Sequence, residues 1–204
     1  YIDVSIAIVL LMQTVWMGVL LEWFLDKKSP SFQKIISVII VLIGTALAIN
    51  IFKIDFNDPT IDWANGLFWG LLAAASFTTT MFTANKVALG ISSAQRSLYM
   101  LLGGAVIVFG FSLYTQVTPF NFEIFTKWGI VLALFGTIIP PMLLNAGFPH
   151  TGIGLGSIVS SLELPVSVMM AFFLLNEQVL FIQWIGILLI ITAIVIMNIQ
   201  FKKK

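Results

Sequence analysis

Apolar residues in this chain arrive in long blocks rather than in alternating positions or narrow stripes. Runs such as Ile35–Ile51 and Ile185–Met197 present apolar side chains to every helical face. A helix rising about 1.5 Å per residue needs about 20 such residues to cross a hydrocarbon core. A membrane β-barrel would instead alternate polar and apolar positions over about 10 residues. With charges, prolines and turn residues as boundaries, the pattern predicts seven spans, at about 4–25, 32–52, 62–84, 97–116, 128–148, 153–175 and 179–201, joined by short connections. The expected fold is an all-α polytopic membrane protein with seven transmembrane helices.

Charge sets an orientation on those spans. Lys27, Lys28 and Lys34 fall between spans one and two, Lys86 and Arg96 between three and four, and Lys202, Lys203 and Lys204 after span seven, so eight of ten cations share one side. Lys53 and Lys127 lie opposite, with Asp55, Asp58, Asp62 and Glu123 in the same outer loops. The positive-inside rule makes the eight-cation side cytoplasmic. The expectation is a multi-pass protein of the inner or plasma membrane with its C-terminus inside and residue 1 outside. The chain begins at Tyr1 without a signal peptide ahead of span one, so further sequence upstream is expected.

Composition narrows the chemistry. Of 204 residues, 59% are hydrophobic and 9% charged, against about 25% charged in soluble domains. Without cysteine there are no disulfides, Cys-ligated zinc sites or thiol nucleophiles, and with His150 alone no multi-histidine metal site. No cofactor and no catalytic group set is expected, because no Asp lies inside an apolar block and the one His is marginal. A net charge of +1, with lysines scattered singly or in short groups, offers nothing to nucleic acid. The expected partners are the lipid bilayer and a small molecule that crosses it.

A weak internal repeat adds organisation. Shifting the chain by 149 residues aligns 5–50 with 154–199 without a gap, placing span one on span six and span two on span seven. Ser5 and Ala7 then meet Gly154 and Gly156, Gly18 meets Ser167, Phe24 meets Phe173, Ser37 meets Gly186 and Gly44 meets Ala193. Small residues thus recur where helices can approach closely. Spans one and six run in opposite directions, the arrangement of inverted-repeat carriers. On this reading residues 53–204 are a complete five-helix copy, and residues 1–52 are the last two helices of the other copy in a ten-helix carrier.

The residues resemble the EamA-type branch of the drug/metabolite transporter superfamily. Ser160-Ser161-Leu162-Glu163-Leu164-Pro165-Val166, then Leu175-Asn176-Glu177-Gln178, then Gln183-Trp184-Ile185-Gly186-Ile187 look like that family's last hairpin. Gln13, Trp16, Gly18, Glu22, Pro30 and Gly44 look like the end of its first repeat. Two departures stand out: the family's first three helices are absent, and Leu164 separates Glu163 from Pro165 where many members have Glu and Pro adjacent. The resemblance implies a secondary transporter, an exporter or exchanger of a small metabolite such as an amino acid or amine, working by alternating access. Protons are a candidate coupling ion, and the missing N-terminal helices or another chain would complete the bundle.

Candidate site residues follow from polarity at depth. Glu163 is the acidic residue at mid-depth of a span, where a carboxylate costs about 2.5–3.5 kcal/mol on insertion scales. It reads as a substrate-amine contact or a proton-coupling carboxyl, against the plainer alternative of a helix-packing hydrogen bond. Gly156, Ser160, Glu163 and Ser167 share one helical face, expected to look inward. Pro165 removes a backbone bond and suits a gate or a static tight crossing. Span three carries Thr79 among Ser76, Thr78, Thr80 and Thr83, most of whose hydroxyls are expected to bond back to the helix. Asn145 follows Pro140 and Pro141, a pair expected to break the helix beside a site. Gln13 and Trp16 lie three apart on span one, and Thr14 occupies the repeat position of Glu163. The competing class is a non-transporting seven-helix receptor or membrane-complex subunit.

Overall fold

The computed structural model describes residues 2, 4–27, 29–55, 58, 59, 61–117, 122–125 and 128–198. Lys28, Lys127 and Lys202 to Lys204, counted in the orientation argument, lie outside them. All regular structure among the described residues is helical. Span one is α1 (Val4–Leu11) and α2 (Thr14–Asp26); α3 (Phe32–Ala48), α4 (Trp63–Lys86) and α5 (Ser93–Thr115) follow. Span five is α6 (Gly129–Leu132), a π-helical turn (Ala133–Ile138) and α7 (Ile139–Thr151). Span six is α8 (Ile153–Ser160) and α9 (Glu163–Leu175), and span seven is α10 (Phe181–Asn198).

Six helical stretches are long and apolar enough to cross a membrane, and α3 is a shorter apolar helix. The chain is an all-α polytopic membrane protein. The span expected over 32–52 stops at Ala48 because Asn50 turns left-handed at φ 56 and a short 3₁₀ turn, Ile51–Lys53, takes over. At 17 residues α3 sits at the short end of spanning length.

Local chemistry sets the helix ends. Ser31 Oγ accepts from the Lys34 amide to start α3, and Ser92 with Gln95 forms a capping box at α5. Ahead of α4, the Asn65 side chain and backbone amide both donate to the Asp62 carboxylate, at 2.7 and 3.1 Å, which holds that carboxyl below its ordinary range. Lys27 and Asn176, both left-handed at φ 51 and 53, end α2 and α9.

Two compact units are present, Tyr1–Phe82 with Thr151–Lys204, and Thr83–His150. In the first, the two hairpins repeat with a constant offset. Adding 149 to α1 and α2 lands on the bounds of α8 and α9, and adding it to α3 lands within one residue of α10. The left-handed caps Lys27 and Asn176 keep the same offset.

Helices α3 and α10 pack directly on each other. Ser37 Oγ donates to Ala193 O at 3.1 Å, and Gln183 Nε2 to Ala48 O at 2.9 Å. Gly44 and Gly186 face each other so closely that a Cβ on Gly44 would stand 2.9 Å from Gly186 O. The pairing runs antiparallel. The offset also turns the pair Ser37 and Ala193 into the pair Gly186 and Gly44, so the contact is self-symmetric. Val41 and Ile190, equivalent under the offset, are both fully buried. Two small cores flank the crossing, one built on Val15, Val19, Val38 and Val41, the other on Leu164, Ile187 and Ile190 with Val168 against it. The second is the first displaced by 149 residues. Antiparallel packing of equivalent helices is the relation that an inverted repeat requires.

Candidate functional site

Both repeated spans are interrupted at the same place. In span one the Gln13 amide donates to Leu10 O and the Val15 amide to Met12 O, each 3.1 Å and each one residue tighter than the α pattern. Val9 O thereby loses its backbone donor, and the Gln13 side chain supplies one: Nε2 donates to Val9 O at 3.0 Å. Trp16 Nε1 donates to Gln13 Oε1 at 2.8 Å, and the indole packs on the core around Val15 and Ile158. The two candidates therefore form one staple across the break.

Span six breaks at Ser161-Leu162, the repeat positions of Met12-Gln13. Ser161 and Leu162 donate to Ile158 O and Val159 O at 3.2 and 3.0 Å, and Ser161 Oγ donates to Ile158 O at 2.6 Å. Pro165 is buried and has no amide for Ser161 O, which accepts from the Leu164 amide at 3.3 Å instead. Here Leu162 and Pro165 stand where span one has Gln13 and Trp16, so no side-chain staple is possible. Ser160, half-buried, ends α8, and Glu163, exposed, opens α9, whose first-turn amides favour a negative group. The polar face expected to look inward runs from buried Gly156 to exposed Glu163 and Ser167. Thr79, exposed, bonds back to Ala75 O at 2.9 Å, as Thr78 and Thr80 do to Ala74 O and Ser76 O at 2.9 and 3.2 Å.

Asn145, Pro140 and Pro141 belong to the second unit. The proline pair does not end the helix. Two consecutive residues without amides leave carbonyls four back unserved, and the chain widens into the π turn Ala133–Ile138 before resuming as α7. Asn145 is buried. Its Nδ2 donates to Ser97 Oγ at 2.9 Å and to Met100 Sδ at 3.3 Å, while Oδ1 has no partner among the described residues.

Around Asn145 the structure adds Arg96, which the sequence pattern left between spans three and four. Arg96 is only 6% exposed. Its Nη1 donates to Asn145 O at 2.8 Å, and its Nη2 reaches Thr83 O at 3.3 Å and also Ala84 O. Asn145 O lies four residues before Pro149, which cannot donate to it, and Ala84 O belongs to the last turn of α4. Asn85 Nδ2 likewise donates to Phe148 O in the last turn of α7. The Arg96 and Asn85 contacts thus serve carbonyls left free at helix ends or by Pro149. Pro149 four after Asn145 was the signal for one stranded carbonyl, though nothing in the sequence says which donor serves it.

In the first unit α2 closes tightly on α8. Ser157 Oγ donates to Val15 O at 3.2 Å, and a Cβ on Gly18 would stand 2.7 Å from the Ser157 side chain. Glu22 pairs with Lys34 of α3, and its carboxylate lies against Gly152 and Gly154. Among the described residues no group of three or more His, Cys, Asp or Glu is placed to hold a metal ion.

The model of the EamA-like transporter family matches residues 64–199 of this chain. A search of the curated proteins found no match.

Proposed function

From the premise that the chain belongs to the EamA-like transporter family, and so is a membrane transporter of the drug/metabolite transporter superfamily, we propose that it is a secondary carrier of a small organic metabolite such as an amino acid or amine, exporting or exchanging it by alternating access. The observation that carries this reading is the pair of interrupted spans related by the 149-residue offset about the antiparallel α3 and α10. Broken helices in corresponding positions of two inverted halves are where such carriers build their sites. The same offset supports dividing the chain into residues 1–52, the last two helices of one copy, and residues 53–204, a complete five-helix copy.

In this reading Glu163 is the charged group of the site, meeting a substrate amine or carrying a coupled proton. Ser160 on the same span supplies a hydroxyl, and Asn145, in the second unit, is a separate candidate for a polar contact to substrate, its buried Oδ1 having no partner among the described residues. Thr79 adds a hydroxyl that already has its helical partner, and Gln13 and Trp16 hold the opposing break in shape. Pro165, Pro140 and Pro141 are the places where a span bends. The excess of cations on one side supports a cytoplasmic C-terminus in this reading, with the protein in the inner or plasma membrane.

Counterflow tests it. Proteoliposomes preloaded with a pooled panel of amino acids, amines and metabolites should take up one labelled member in a saturable, exchange-dependent way. Silence across the panel from correctly folded protein would remove the carrier assignment.

A further inference from the structure

Among the described residues, the close contact of α2 on α8 is not matched between α1 and α9, although the 149-residue offset makes the two pairs equivalent. On the closed side Gly18, Val15, Ser157 and Ile153 are all buried. On the other side Leu164, in place of Val15, is buried as well, but Ser167 in place of Gly18 is exposed and Ile8 in place of Ser157 is half-buried. There Ile8 packs on the core that contains Leu164.

The closed side also holds a charge pair that the repeat does not reproduce. Glu22 and Lys34 are 20% and 19% exposed; their repeat positions are Ala171 and Gln183, which cannot pair. The Glu22 carboxylate lies at the start of α8. Gly152, at φ 80, has no side chain to cap that helix, and a Cβ on it would stand 3.0 Å from Glu22 Oε1. The carboxylate thus joins the positive end of α8 and the Lys34 ammonium in one cluster. In an inverted repeat the two end states exchange the conformations of the halves, so contacts shared by both halves contribute equally to each state. Only contacts without a symmetric partner bias the equilibrium.

Resting on the alternating-access reading above, we propose that Glu22 with Lys34 is a conformational latch. It holds α2 against α8 in the state seen here. Its release lets α2 and α8 part while α1 closes on α9 through Ile8 and Ser167.

The 204 residues contain no cysteine, so single introduced thiols report water access directly. Ile153→Cys marks the closed contact and Ser167→Cys the open one. Each is followed by its rate of reaction with a water-soluble maleimide in proteoliposomes made permeable to the reagent. Glu22→Gln, and independently Lys34→Met, should speed labelling at 153 about tenfold and slow it at 167 about tenfold, the scale of a helix-end charge contact of about 1.4 kcal/mol. Unchanged rates overturn the latch. So does faster labelling at both positions, which makes the pair a support of the fold, and so does protection of position 167 in the parent protein. Opposite shifts without transport of any substrate would leave the latch standing and remove the carrier reading; transport with unmoved reporters would do the reverse.

Discussion

Glu163 opens a helix in the middle of a span, where a carboxylate is costly and the first-turn amides of α9 make it less so. Glu163→Gln keeps the shape and removes the charge. Losing a charge-assisted contact of about 1.5–3 kcal/mol should lower exchange roughly tenfold or more, or flatten its pH dependence, with membrane insertion unchanged. Equal transport at every pH would assign the side chain to packing. Arg96 presents the opposite case: its charge serves backbone carbonyls of α4 and α7. Arg96→Met strands Asn145 O and Ala84 O, each worth about 1–3 kcal/mol when buried unpaired. The expected result is a marked fall in thermal stability in detergent, which Arg96→Lys recovers only in part because one ammonium cannot fork to both helices. Glu163 was legible in the sequence because a charge inside an apolar block has no neighbours to hide among. Arg96 was not, because cations beside a span look alike until the carbonyls they serve, up to 49 residues away, are brought together.

Among the elements, the crossing of α3 and α10 depends on the absence of side chains. A Cβ on Gly186 would stand 2.9 Å from Ala48 Cα, and closer still to backbone atoms that cannot turn aside. Gly186→Ala should therefore push the helices apart and cost about 1–3 kcal/mol, read as a lowered midpoint of thermal unfolding. An equally stable variant would mean that the crossing has slack. The π turn at Ala133–Ile138 is a consequence of Pro140 and Pro141, and replacing both with Ala restores two amides. Residues 133–138 should then take the α pattern, visible as increased amide-exchange protection. Seven apolar blocks were plain in the sequence, yet the break at Met12-Gln13 was not: no Gly or Pro marks it. It shows only as the structural equivalent of the break beside Pro165, where a missing amide gives the physical reason.

At the scale of the whole molecule, the placement of charge predicts sidedness. A cysteine in place of Lys204 should react with an impermeant reagent only from the cytoplasmic side of inverted vesicles, and labelling from outside intact cells would reverse the orientation. Hydropathy alone determined the all-α membrane fold, because a backbone in hydrocarbon must satisfy its own hydrogen bonds and helices do so from local sequence. Small residues at a fixed offset also foreshadowed the repeat, and short motifs the family. What only tertiary structure decided are the contacts between distant helices: the self-symmetric crossing of α3 on α10, the choice of Lys34 as the partner of Glu22, the burial of Arg96, and the closing of α2 on α8, unmatched among the described residues by a closure of α1 on α9. Apolar sequence specifies that helices must meet something. Which faces meet depends on where a missing Cβ or a stranded carbonyl lets them, and that is a property of pairs of helices rather than of either sequence alone.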